Sequence, residues 1–185
     1  GRVNLARAYS AAGKPDQAAA ELRAVLSQSP KATWVRTRLA QVLVSQKKYS
    51  EAAKEYQIAL KDSRNDPRVA ALAGQNCLAL KDYDKATKIY EMLLASTNDP
   101  TLLASAYNNL AWIACIEGKE LEKALSFAVK AEELRPFDAN ILDTAGWILY
   151  KLKRYKEARE KLTSAVAKSP ETPVVRYHLG MALLE

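Results

Sequence analysis

The stretch LAQVLVSQKKYSEAAKEYQIAL, residues 39 to 60, decides the fold. It reads as one helix ending, a short polar turn around Lys47-Lys48, and a second helix beginning at Tyr49. Its small residues, Ala40 and Ala52, recur along the whole chain. Ala18, Ala52, Ala86, Ala124 and Ala158 are spaced by 34, 34, 38 and 34 residues. Ala6, Ala40, Gly74, Ala111, Gly146 and Gly180 are spaced by 34, 34, 37, 35 and 34. A period of 34 is that of a helix–turn–helix repeat, so the sequence predicts an array of stacked antiparallel helix pairs. Small residues belong where the two helices of a pair cross closely, because a larger side chain would hold the backbones apart. Leu22, Tyr56, Tyr90, Ala128 and Leu162 follow four residues after each alanine and fill the space beside the crossing. Pro30, Pro136 and Pro170 close three of the repeats.

These slots resemble the tetratricopeptide repeat (TPR) family. Leu39-Ala40, Ala73-Gly74, Leu110-Ala111, Ala145-Gly146 and Leu179-Gly180 match its Leu-Gly pair, and the alanine, bulky residue and proline follow at the family's offsets. The resemblance covers almost the whole chain. It implies an all-α superhelical solenoid of about eleven helices, with repeats at 1–32, 33–66, 67–100, 101–137 and 138–172 and a partial one at 173–185. Two departures stand out. The family's Trp slot holds Arg2, Arg36, Ala70, Tyr107, Leu142 and Arg176, and the 38-residue step predicts a longer loop or an extra helical turn before the fourth repeat.

First helices are expected at 2–12, 32–46, 67–80, 101–117, 139–152 and 173–185, and second helices at 15–28, 49–62, 83–96, 121–134 and 155–168. Asp66-Pro67, Asp99-Pro100 and Thr172-Pro173 each offer a capping oxygen followed by proline at the first helical position, and Asp138 caps the fifth repeat. Gly13 and Gly118 mark hairpin turns that need a left-handed residue. The chain lacks an initiator Met and stops within a helical pattern, so a piece of a longer array is expected. Leu5, Val175, Leu179 and Leu183 are then expected to be exposed at its ends, favouring end-to-end self-association.

The net charge is +7 and uneven: +6 over residues 1–66, −1 over 67–136 and +2 over 137–185. Such a bias favours an acidic partner for the N-terminal half, beside the plainer reading of a solvated helical surface. No apolar run approaches the ~18–20 residues of a membrane span. Cys77 and Cys115 fall on the apolar faces of two first helices and read as buried free thiols.

Catalysis has little to work with. His178 is the only histidine, no Cys/His cluster has metal-ligand spacing, and no Gly-rich phosphate loop is present. The paired acids Glu132-Glu133 and Asp82/Asp84 read as solvated faces. The chain is therefore read as non-enzymatic, with no cofactor and no metal.

In a TPR superhelix the first helices line the concave face, and the resemblance carries that groove onto named positions. They are Arg7, Trp34, Thr37, Arg38, Gln41, Arg68, Leu72, Gln75, Asn108, Asn109 and Trp112, followed by Asn140, Asp143, Thr144, Trp147, Tyr150, Tyr177 and His178. Amides beside flat aromatic anchors suit a protein or an extended peptide. They also suit a sugar chain, which makes a carbohydrate-binding or polysaccharide-export array the alternative, with Trp112, Trp147, Tyr150 and Tyr177 as stacking platforms. A further alternative is that Trp112 and Trp147 simply pack on the neighbouring helix. Nucleic acid is disfavoured, because RNA-reading repeats need a recurring base-reading set, and one such place here varies through Arg38, Leu72, Asn109, Thr144 and His178. Carboxylate-clamping TPR domains need cations that Ala71, Gln75, Asn109, Asn140 and Thr144 do not supply. Asn108–Trp112, Asp143–Trp147 and Arg176–Gly180 resemble the C-terminal repeats of bacterial exosortase (PEP-CTERM)-associated TPR lipoproteins. That resemblance implies a cell-envelope or periplasmic scaffold linked to exopolysaccharide, and a cytoplasmic location otherwise.

The repeat phase makes one expectation directly measurable. Ala86→Leu or Ala124→Leu should overpack a helix crossing and cost roughly 1–3 kcal/mol. Thermal melts of these variants that overlay the parent would show that the phase is wrong.

Overall fold

In the computed structural model, residues 1–118 and 120–185 are described, and among them there are eleven helices and no strands. The first helices are α1 (Arg2–Ala11), α3 (Thr33–Ser45), α5 (Pro67–Ala79), α7 (Pro100–Glu117), α9 (Ala139–Lys151) and α11 (Pro173–Leu183). The second helices are α2 (Pro15–Gln28), α4 (Tyr49–Asp62), α6 (Tyr83–Ser96), α8 (Leu121–Leu134) and α10 (Tyr155–Lys168). All five second helices begin and end where the sequence placed them. The chain divides into two compact bodies, Gly1–Ile89 and Tyr90–Glu185. Within the first, α1 to α5 each pack on their neighbours in sequence. Within the second, α7 to α11 do the same, and α9 also touches α7 and α11. This is the nearest-neighbour packing of an all-α solenoid.

The five phase-setting alanines have no exposed surface at all. Ala6, Ala40 and Ala111 are equally enclosed, and the bulky partners Leu22, Tyr56, Tyr90 and Leu162 are fully buried beside them. Burial pushes the Tyr56 phenol up to about 12, because an ionised ring oxygen would be stranded away from water. The closest approach is at Gly146 on α9. A Cβ there would lie 2.6 Å from Leu162 Cγ and 3.3 Å from the Leu162 backbone nitrogen. Gly180, one repeat later, has nothing within 4 Å of the same position.

The 38-residue step is resolved as an extra helical turn. Its α7 runs for 18 residues, against 13 for α5 and α9. The surplus lies mostly at its start, because Asp99-Pro100 sets the cap a turn ahead of the repeat frame. Asp99 accepts hydrogen bonds from the backbone N–H of Thr101 at 2.8 Å and Leu102 at 3.2 Å. Asp66 caps α5 through Arg68 N–H at 2.8 Å, and Asp138 caps α9 through Asn140 N–H at 2.9 Å. Thr172 does not cap α11; its hydroxyl lies 2.6 Å from Ser169 Oγ instead. Gly13 and Gly118 are left-handed, at φ 69° and 66°. Lys47, Lys81 and Lys153 adopt the same conformation at the other hairpins, at φ 59°, 58° and 62°.

Two of the arginines in the Trp slot make a repeated clasp between helices. Arg2 pairs with Glu21 at 2.9 Å, and Arg36, 34 residues on, pairs with Glu55 at 2.7 Å. Arg36 also donates to the Pro30 carbonyl at 2.7 Å. The Arg36 side chain is mostly buried in its clasp, whereas Arg2 stays more than half exposed. At the chain ends, Leu5 and Leu183 are exposed as expected, and Leu179 is half-buried. Val175 departs from the expectation, being buried against Leu142 and Ala165, because α11 closes over α9 and α10.

The contrast between two equivalent glycines yields a test. Gly146→Ala should lower stability by roughly 1–2 kcal/mol, because overpacking against Leu162 outweighs the gain in helix propensity. Gly180→Ala should raise it by up to about 1 kcal/mol, since propensity acts there alone. Chemical denaturation of the two variants checks the opposite signs.

Candidate functional site

Six of the expected groove residues meet in one cleft of the first body. Arg7 comes from α1, Trp34, Arg38 and Gln41 from α3, and Arg68 from the first turn of α5. The cleft has a volume of about 800 Å³. Thr37, also on the expected stripe, lines it between the arginines, and its hydroxyl donates to the Thr33 carbonyl at 2.9 Å. Trp34 is 64% exposed, an unusual position for an indole. Arg38 Nη1 reaches Gln41 Oε1 at a long 3.4 Å. Ser63 and Asp66 enter from the loop between α4 and α5. Helical periodicity could not have found them, since a register counted along first helices skips the loops. Gln75 lies apart from this group, with Leu72 and Asn76, in an adjoining cavity of about 140 Å³ that Gln41 also touches.

In the second body the expected residues form a packed aromatic group. Trp147 stacks on His178, with centroids 4.1 Å apart and planes 16° apart, and on Tyr150 at 4.8 Å and 8°. The Lys151 ammonium sits 5.0 Å from the Trp147 ring centre. Trp112 lies 6.4 Å from His178 and is half-buried, and Tyr177 flanks both Trp147 and His178 while staying 59% exposed. Asp143 and His178 were expected on the open stripe, but both are buried, and His178 Nδ1 lies 2.8 Å from Asp143 Oδ1. The reason is the closure of α11 on α9, which places the two side chains face to face. Asn109 donates to Ser105 Oγ at 3.4 Å, Asn108 is half-buried, and Asn140 is exposed at the start of α9.

Reactive groups are few. Cys77 and Cys115 are buried free thiols. Burial pushes both above the usual thiol range, and Asp82 adds to the effect at Cys77. Such thiols are poor nucleophiles at neutral pH. Among the described residues, no three His, Cys, Asp or Glu side chains group closely enough to hold a metal ion. No described helix is long and apolar enough to cross a membrane.

The structure converts part of the groove stripe into internal support, and that is open to measurement. His178→Ala would remove the hydrogen-bond partner of the buried Asp143 side chain and should cost roughly 1–3 kcal/mol. The double variant with Asp143→Ala should cost less than the sum of the two single losses. Urea melts of the three variants check this, and strict additivity would count against a coupled pair.

Comparison with known proteins agrees with this geometry. Residues 9–75 match the family model described as tetratricopeptide repeat. Among solved structures, PilF of Pseudomonas aeruginosa superposes with a TM-score of 0.81 at 20% identity, over 99% of this chain and 87% of that one. MamA of Desulfovibrio magneticus RS-1 gives 0.79 at 21% identity, over 93% of this chain and 95% of that one. YrrB, described as a TPR protein with an unusual peptide-binding site, gives 0.73 at 20% identity, over 95% and 89%. At these identities the likeness is one of fold.

Proposed function

We propose that this chain, whose residues 9–75 match the tetratricopeptide-repeat model, acts as a non-enzymatic scaffold holding an extended segment of a partner protein along its first helices. The fold itself is that of protein–protein interaction scaffolds, in which stacked repeats present a long continuous surface. The observation that carries the finer reading is the cleft of about 800 Å³ in the first body, where residues from α1, α3 and α5 converge around an exposed indole. Its size falls in the range of ligand-binding clefts, and its mix of one aromatic anchor with polar donors is that of a peptide site. Arg7, Arg38 and Gln41 offer donors for a partner's backbone carbonyls, and Trp34 offers flat apolar area at small entropic cost.

The second body supports the sugar alternative less well. A saccharide platform needs a free ring face, and Trp147 already stacks on His178 and Tyr150. Tyr177 alone keeps more than half of its surface exposed in that aromatic group.

On this reading Trp34 is the anchor. Trp34→Ala should weaken partner binding about 30-fold, the ~2 kcal/mol of an aromatic hot spot, with no change in melting temperature. A photo-crosslinking amino acid at Thr37 should capture the partner, while the same group at Lys54 on α4 should not. Capture from Lys54 alone would move the docking surface to the second helices.

A further inference from the structure

The first body carries more charge than the chain as a whole. Residues 1–89 hold sixteen basic and eight acidic side chains, a net of +8, whereas residues 90–185 hold twelve and thirteen. Within the first body, the clasp arginines Arg2 and Arg36 are committed to Glu21 and Glu55. The cleft arginines are not. Arg7, Arg38 and Arg68 form no ion pair among the described residues, although salt bridges occur on the helices around them. The single carboxylate in the cleft wall, Asp66, is occupied as a helix cap, accepting the Arg68 backbone N–H at 2.8 Å. Three guanidiniums on three successive first helices therefore face one cleft that holds a single carboxylate, Asp66, and none of the three is paired with it.

We propose that this cleft selects an acidic segment within a partner protein, extended in conformation, with an apolar side chain against Trp34. This rests on the scaffold reading above and specifies the partner's chemistry. A guanidinium fork matches a carboxylate with two parallel hydrogen bonds, which makes arginine specific where lysine would only attract. The spacing adds a constraint. First helices of adjacent repeats lie roughly 10 Å apart, and an extended chain advances about 3.3 Å per residue. A segment crossing α1, α3 and α5 thus meets a new arginine at about every third residue. The cleft fits the pattern acid-x-x-acid-x-x-acid, with a leucine or aromatic residue between acids to cover the Trp34 ring. An interior segment satisfies it, and no terminal carboxylate is needed.

The test uses the full chain and three capped nonapeptides: one with Glu at positions 2, 5 and 8 and Leu at 4, one with Gln for each Glu, and one with Lys for each Glu. Binding is read by Trp34 fluorescence, with a Trp34→Phe control, and by anisotropy of a labelled peptide. The Glu peptide should bind at least tenfold more tightly than the Gln peptide, and its affinity should fall as salt rises from 50 to 200 mM. Arg38→Gln and Arg68→Gln, both on exposed side chains, should each weaken it at least tenfold. Arg38→Glu should restore part of the binding for the Lys peptide. Equal binding of the Glu and Gln peptides would overturn the inference and leave the scaffold reading standing. Binding by neither would overturn it as well, with partner cross-linking from Thr37 then deciding the scaffold reading separately. Displacement by polyphosphate as readily as by unlabelled Glu peptide would reduce the effect to non-specific charge attraction and also overturn it.

Discussion

The close crossing of paired helices is the constraint on which the rest depends. At Gly146 the α9 backbone comes so near Leu162 on α10 that a single added carbon would lie 2.6 Å from Leu162 Cγ. Ala40 and Ala111 hold the equivalent places on α3 and α7 with no surface exposed. When backbones pack this tightly, large side chains are displaced to the flanks, where Leu22, Tyr56, Tyr90 and Leu162 fill the remaining space. Because dispersion falls off steeply with separation, this contact rewards one register and penalises its neighbours. The register then fixes which faces of the first helices remain for a partner.

Local devices hold the ends of the helices so that the crossing can set the frame. Asp66, Asp99 and Asp138 satisfy backbone donors at the start of α5, α7 and α9. The length of α7 shows how tolerant the scheme is. An early cap adds a turn ahead of the crossing, and Ala111 and Ala124 stay fully enclosed all the same. The Arg2–Glu21 and Arg36–Glu55 clasps tie the two helices of a pair together at equivalent places in two repeats.

The same stripe of positions meets different surroundings in the two bodies. In the first, Arg7, Arg38, Arg68 and Trp34 remain turned to a cleft and unpaired with acids. In the second, Asp143, Trp147 and His178 turn on one another, and the stripe becomes part of the support for α11. A surface that binds must keep unsatisfied groups, and a surface that supports must satisfy them. The repeat frame permits either, and the residue chemistry selects.

The sequence by itself determined the repeat length, the pairing of helices, all five second helices and the crossing residues. These follow from periodicity, which local spacing records directly. It also named six of the residues that line the first-body cleft, since positions on one helix face stay together whatever the neighbours do. Only the tertiary structure decided that Ser63 and Asp66 join them from a loop, that Asp143 and His178 are buried against each other, and that Val175 is covered. Those outcomes depend on which side chain from another helix arrives opposite. Asp143 and His178 are 35 residues apart, and no spacing along one helix reveals that their atoms approach to 2.8 Å.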